Sequence, residues 1–268
     1  MRKILFVLFV LGLGFSSCSE YQAVLKSKDN EFKYTKAKEY YEGGMYSKAI
    51  SLLEGLINVY RGTDKAEEVF YLYSNCHYKQ RDYIQAGYYF KNFSQTYRNS
   101  KYTEECLYLS AYCNYLSSPK TSLDQKDTKE ALASFEFFLS KYPNTTRMDD
   151  VKRLIKELQT KLEEKTYKSA VLYYDLGYFQ SAYVAVKAAL QESPSSAFRE
   201  ELMLLDMKAR YEYADNSVLG KQAERYEDVI KSYTLFLDVY PQSQYLKVAT
   251  RLQERAQNAL DKLKVAQL

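Results

Sequence analysis

Residues 45–61 read MYSKAISLLEGLINVYR, and the same phrase returns four more times. It is DYIQAGYYFKNFSQTYR at 82–98, DTKEALASFEFFLSKYP at 127–143, YFQSAYVAVKAALQESP at 178–194 and RYEDVIKSYTLFLDVYP at 225–241. The first aligned positions are Tyr46, Tyr83, Thr128, Phe179 and Tyr226; three residues on come Ala49, Ala86, Ala131, Ala182 and Val229. Near the end come Tyr60, Tyr97, Tyr142, Ser193 and Tyr240, each followed by Arg61, Arg98, Pro143, Pro194 or Pro241. The spacing inside the phrase never slips. Apolar residues recur at helical spacing, as in Ala131, Phe135, Phe138 and Leu139. A proline, or a polar turn such as RGTD or RNSK, then stops each helix. A second amphipathic segment, such as AEEVFYLYSNCHYK or TEECLYLSAYCNYL, lies between phrases. The unit is therefore helix, short turn, helix, and the small residue three positions on lets the two helices approach closely. The expected fold is all-α, an α-α superhelix of about five helix pairs. Such arrays bury a continuous core between neighbours and present an extended surface for binding.

The first interval between phrases is 37 residues, near the roughly 34 of the tetratricopeptide repeat. The unit resembles that family in its small and aromatic positions and its proline-ended helix. Later intervals are longer. SSPKTSLDQKD, residues 117–127, reads as a polar loop before the third phrase, and ADNSVLGKQ as a loop before the fifth. The interval before the fourth phrase is lengthened inside DDVKRLIKELQTKLEEKTYK by 14 residues, two heptads, so a long helix there keeps its face. Its acidic pair Glu163 and Glu164, like Asp149 and Asp150, reads as solvated surface.

The chain opens Met-Arg-Lys, then ILFVLFVLGLGF, then Ser16, Ser17 and Cys18. Two charges, about a dozen apolar residues and small residues make a secretory leader, too short to span a bilayer as a helix of roughly 20 residues. Phe15-Ser16-Ser17-Cys18 resembles the lipobox of bacterial lipoproteins. That resemblance implies that Cys18 is the first mature residue and carries acyl chains. Ser19 after it resembles the pattern of lipoproteins sorted to the outer membrane. The expected organisation is a signal peptide at 1–17, a lipid-anchored tether at 18–30, repeats one to three at 31–145, repeats four and five with a capping helix at 146–262, and a tail at 263–268.

Charge and composition exclude several functions. The net charge is +4, and loss of the leader removes Arg2 and Lys3, leaving the chain near neutral. No concentrated basic face points to nucleic acid. Glycine at 9 and proline at 4 are too few for a sheet-rich fold with many tight turns. Cys76, Cys106 and Cys113 are an odd set, so they cannot all pair. Cys106 and Cys113 are seven residues apart on one helix, about 10 Å along its axis, too far for a disulfide. Three buried thiols are expected. His77 is the single histidine, and a zinc site needs about four converging ligands. No phosphate loop, nucleophile elbow or histidine pair is present. We expect no catalysis, no metal and no cofactor.

Tyrosine is abundant, at 29 residues, and patterned. Tyr34, Tyr71 and Tyr108 recur every 37 residues, as do Tyr41, Tyr78 and Tyr115. Within each helix the two lie seven residues apart and share a face. Tyr167 and Tyr174 keep that spacing in the fourth repeat. Two rows of phenols suit an extended segment with aromatic side chains, and Lys38, Asn75 and Lys79 lie where they could hold its backbone or terminal carboxylate. Packing between adjacent helices is the competing role for these rings.

The acylated leader, the tether and five such repeats together resemble the BamD family, the lipoprotein of the outer-membrane β-barrel assembly machinery. The most specific parts are the loop before the third phrase and then SKYPNTTRMDDVKRLIKELQTKLEEKTYKSAVLYYDLGYFQSA. The resemblance implies a scaffold anchored to the outer membrane of a Gram-negative cell, facing the periplasm. Its partners would be the barrel-forming subunit, other assembly lipoproteins and unfolded outer-membrane protein clients. Two other readings share the architecture: a repeat lipoprotein coordinating cell-wall synthesis, and a surface glycan-binding lipoprotein. The absence of tryptophan and the short insertions count against the last.

Overall fold

The computed structural model describes residues 20–266, so Cys18 and the leader lie outside the described residues. Residues 20–26 are helical (α1). There follow α2 (Asn30–Glu42), α3 (Tyr46–Val59), α4 (Ala66–Lys79), α5 (Tyr83–Thr96), α6 (Thr103–Ser117) and α7 (Lys126–Lys141). Next come α8 (Met148–Asp175), α9 (Phe179–Glu192), α10 (Arg199–Asp215), α11 (Leu219–Val239) and α12 (Leu246–Ala266). No strand occurs among the described residues. The fold is all-α and built from helix pairs, with α3, α5, α7, α9 and α11 carrying the five phrases. The chain divides into two compact units, residues 1–119 with 125–155 and residues 120–124 with 156–268.

The phrase works as its spacing predicts. Ala49, Ala86, Ala131, Ala182 and Val229 are each 0 % exposed, so the partner helix packs against them with no gap. Two turns further, Leu56, Phe93, Phe138 and Phe236 are fully buried anchors. Tyr60, Tyr97, Tyr142, Ser193 and Tyr240 are the C-caps, each N–H donating to the carbonyl four residues back. A hydroxyl three residues later closes the turn. The N–H groups of Thr63, Ser100, Thr145, Ser196 and Ser243 donate to those cap carbonyls. Four of these hydroxyls then accept from the next helix start, at Tyr102, Arg147, Phe198 and Tyr245.

The turn before a phrase is equally regular. Gly44, Arg81 and Gly177 sit two residues ahead of Tyr46, Tyr83 and Phe179, with φ of 71°, 64° and 79°. Each lets the chain reverse in a double hydrogen-bonded closure: Met45 to Tyr40 with Gly44 to Tyr41, Asp82 to His77 with Arg81 to Tyr78, and Tyr178 to Tyr173 with Gly177 to Tyr174. Before the third phrase α6 ends in an extended residue, Ser118, and the polar insertion occupies the gap as expected.

Four expectations are corrected. Residues 20–26, placed in the tether, form α1; Val24 is buried and Tyr21 packs on Tyr40 at 5.8 Å. Seven residues cannot hold a helix alone, so docking on the first pair's core holds it. The expected tail is helical through Ala266, with Leu263 against the core. In ADNSVLGKQ the helix already resumes at Leu219. Glu163 and Glu164 are not free surface. Glu163 accepts from Ser196 Oγ and the Ala197 N–H, and Glu164 from Thr121 Oγ1 at 2.9 Å. The two heptads of extra helix thus carry the acids that tie down neighbouring loops.

Candidate functional site

The first helix of each pair carries the tyrosine rows, and in unit one each row has its own geometry. Tyr34 is buried: Tyr60 meets its ring edge-on at 5.9 Å, Lys38 and Lys65 lie over it, and its phenol stands beside Glu68 of α4. Tyr71, half-buried, stacks on Tyr102 at 4.3 Å, and its phenol stands beside Glu105 of α6. Glu68 and Glu105 stand in the first turn of the next first helix, so a phenol beside a carboxylate recurs in successive repeats. Burial first, and then these acids, push both phenols well above the usual tyrosine range. They remain protonated donors. At Tyr108 the acid is replaced by Arg147, whose guanidinium lies 4.4 Å over the ring.

The second row leans on the phrase that follows. Tyr41 meets Tyr46 and Tyr78 meets Tyr83 edge-to-face or tilted, at 5.8 and 5.9 Å. Tyr115 packs on Phe135. All three are half-buried. Burial raises the phenols of Tyr41 and Tyr78 as well.

The neighbours expected to hold a ligand are placed differently. Lys38 Nζ is ion-paired with Glu68 at 2.8 Å. Asn75 is buried, its amide donating to the Tyr71 carbonyl at 3.0 Å. Lys79 is exposed at the end of α4. The structure therefore brings the rings together but gives Lys38 and Asn75 partners of their own.

Sequence spacing missed Tyr112. It lies between Tyr108 and Tyr115 on α6, stacked on both at 5.8 and 5.6 Å with interplanar angles of 12° and 15°. The three make an aromatic strip along one helix, capped by Arg147. A search for residues at i, i+4 and i+7 would have found it; the 37-residue recurrence does not, because Asn75 holds this place in α4. In unit two, Tyr167 stacks on Phe198 at 5.3 Å and Tyr174 meets Phe179 at 5.5 Å. Both tyrosines line a cavity of about 230 Å³ with Glu201, Lys208 and Tyr245.

Cys76, Cys106 and Cys113 are free and buried as expected. Burial pushes the thiols of Cys76 and Cys113 up to about 12, far from a reactive thiolate. His77 Nδ1 lies 3.3 Å from Asp82, and its ring packs between Tyr73 and Tyr89. Among the described residues no three His, Cys, Asp or Glu side chains cluster to hold a metal, and no helix is long and apolar enough to cross a membrane.

The model of the YfiO family, described as outer membrane lipoprotein, matches residues 26–212. The chain belongs to that family. This is the BamD family that the order of repeats and insertions resembles. The YfiO-type match spans the tyrosine rows, α8 and most of α10. No curated protein sequence matches the chain. Among solved structures, the TPR2AB domain of yeast Sti1 in its pHSP90 complex is 11 % identical with a TM-score of 0.40, over 85 % of this chain and 98 % of that one. The TPR domain of P58(IPK) is 15 % identical with a TM-score of 0.40, over 94 % of this chain and 68 % of that one.

Proposed function

We propose that this YfiO-family protein is a non-catalytic scaffold of the outer-membrane β-barrel assembly machinery. It is held by acyl chains on Cys18, faces the periplasm, and binds both the barrel-forming subunit and unfolded clients. Membership of an outer membrane lipoprotein family over residues 26–212 carries this reading. The tyrosine rows support the client-binding part. Tyr108, Tyr112 and Tyr115 offer half-buried aromatic faces in a line, with Arg147 beside them. An extended chain ending in an aromatic residue and a carboxylate finds ring contacts and a cation there. The scaffold acts by raising the local concentration of client and insertase.

Purification from membranes in mild detergent tests the assignment. A barrel-type outer-membrane protein should co-purify, and Cys18→Ala should release the protein to the soluble periplasmic fraction unless partners retain it. Recovery of cell-wall synthases in its place would transfer the protein to the alternative reading. For the client face, Tyr112→Ala with Tyr115→Ala should weaken binding of a peptide ending in phenylalanine by about tenfold. Unchanged binding would remove the rows from the site.

A further inference from the structure

Within each unit the second helices of the pairs border grooves floored by the first helices, and in unit one the groove between α5 and α7 is unfilled. With the acidic pairs Glu67-Glu68, Glu104-Glu105 and Glu200-Glu201 in register, Tyr73, Ser110 and Asp206 take the same place on α4, α6 and α10. With the phrases in register, Tyr89, Ser134 and Ser232 face them. In the first groove Tyr73 and Tyr89 fill the space with ring centroids 4.7 Å apart, and His77 packs on both. In the groove of unit two, Asp206 accepts from Ser232 at 2.8 Å and pairs with Arg210 at 2.7 Å. Between α5 and α7 both residues are serines. A cavity of about 710 Å³ remains there, floored by α6 through Leu107, Ser110 and Ala111.

The walls of that cavity have one sign of charge. Lys91 and Arg98 on one side and Lys141 on the other line it, with no carboxylate among its lining residues. None of the three cations forms an ion pair among the described residues. Phe137, 56 % exposed, stands in the wall. The floor is satisfied: Ser110 Oγ donates to the Gly87 carbonyl, and Asn114 donates to Ser134 Oγ. An occupant therefore meets apolar and small groups below and unpaired cations above.

We infer that this groove docks an acidic segment of a partner protein, which inserts one aromatic side chain into the space that Tyr73 and Tyr89 occupy one repeat earlier. The volume lies within the range of formed binding pockets, roughly 300–1,000 Å³. An aromatic anchor in a desolvated slot, rimmed by complementary charge, is the arrangement that carries binding energy at interfaces. The inference is independent of the assembly role and of the tyrosine rows, which lie on the first helices.

The test uses the full chain in detergent and a fluorescein-labelled six-residue peptide of aspartates and glutamates around one phenylalanine. Anisotropy should show saturable binding, about tenfold weaker for the same peptide with alanine at its centre. Lys91→Glu with Lys141→Glu should weaken it about tenfold or more. Both lysines are exposed, so the circular dichroism melt should not move. Ala133→Trp, which fills the groove from an exposed position, should abolish binding. Equal binding of the two peptides, equal binding to the charge-reversed protein, or no saturable binding overturns the inference. Capture of anionic phospholipid vesicles by the wild type alone, with the peptide ignored, also overturns it and makes the groove a membrane contact.

Discussion

The slot at Tyr73 in unit one and the slot at Asp206 in unit two occupy the same position in the repeat, yet are closed by different physics. Tyr73 is buried and donates across to Tyr89, hydroxyl to hydroxyl, at 3.3 Å within an aromatic cluster. Asp206 and Arg210 instead form a partly exposed ion pair, with Ser232 donating to the same carboxylate, and Arg210 also covers the ring of Tyr183 at 4.6 Å. One closure is non-directional area burial. The other is a charge-assisted network that depends on every partner being present. The repeat dictates that the slot exists; it does not dictate the chemistry that fills it.

The largest effect separates the two at once. Tyr73→Ala leaves a ring-sized hole against Tyr89 and His77, and should cost about 3–4 kcal/mol. Asp206→Ala leaves Arg210 with the ring of Tyr183 and, as its remaining carboxylate, Asp228 at 3.9 Å, and should cost about 1–3 kcal/mol. Two compact units need not unfold together. Hydrogen exchange read at α5 and at α11 therefore measures each slot separately. Raising salt should loosen the amides of α11 in the wild type and leave α5 unmoved. Equal salt responses would show that Asp206 works through packing alone.

The backbone offers a smaller contrast. Gly44, Arg81 and Gly177 share one left-handed turn position, but Arg81 has a Cβ to accommodate there. Arg81→Gly should stabilise unit one by about 0.5–1 kcal/mol, with relief of the left-handed strain outweighing the added freedom of the unfolded chain. Denaturant midpoints before and after the substitution check the sign. A lower midpoint would mean that the Arg81 side chain contributes more than its backbone costs.

The same contrasts mark what the sequence could reveal. The phrase exposes the fold because its buried alanines, C-cap and stop recur with fixed spacing, and helical geometry leaves them few alternatives. The length of α8 follows from two heptads keeping one face. The serine and threonine turn hydroxyls were equally periodic, at Thr63, Ser100, Thr145, Ser196 and Ser243, and could have been read as the signal for each helix start. By contrast, Glu163 and Glu164 look like any charged helix face until the loops they bind are placed. Residues 20–26 are too short to read as a helix without their docking surface. The tyrosine rows were visible as spacing, but spacing cannot say that Tyr34 is buried against Glu68 while Tyr112 stacks in an unbroken strip. The open groove at Ser110 and Ser134 emerges only when the repeats are compared with one another across α4, α6 and α10.

The smallest expected effect tests the link between successive first helices. Lys38 on α2 and Glu68 on α4 pair at 2.8 Å, with side chains 41 % and 37 % exposed. The Lys38 hydrogen bond is the leading cause that holds the Glu68 carboxyl below the usual carboxylate range, and Glu68 in turn raises Lys38. A depressed carboxylate stabilises the fold above its unfolded pKa, and that stability is lost as pH falls through the folded value. A raised lysine stabilises below its unfolded pKa and loses its contribution as pH climbs through the folded value. The pair therefore acts across the whole neutral range and fades at both ends. Solvent screening limits it to about 0.5 kcal/mol. Glu68→Gln should lower the denaturant midpoint slightly at neutral pH, and the difference from wild type should vanish in strong acid. Tyr34 sharpens the outcome, because its phenol also stands beside Glu68, which helps raise it. Tyr34→Phe removes that hydroxyl alone, and a loss there several times larger than for Glu68→Gln, persisting in acid, would mean that the phenol, rather than the ion pair, joins α2 to α4.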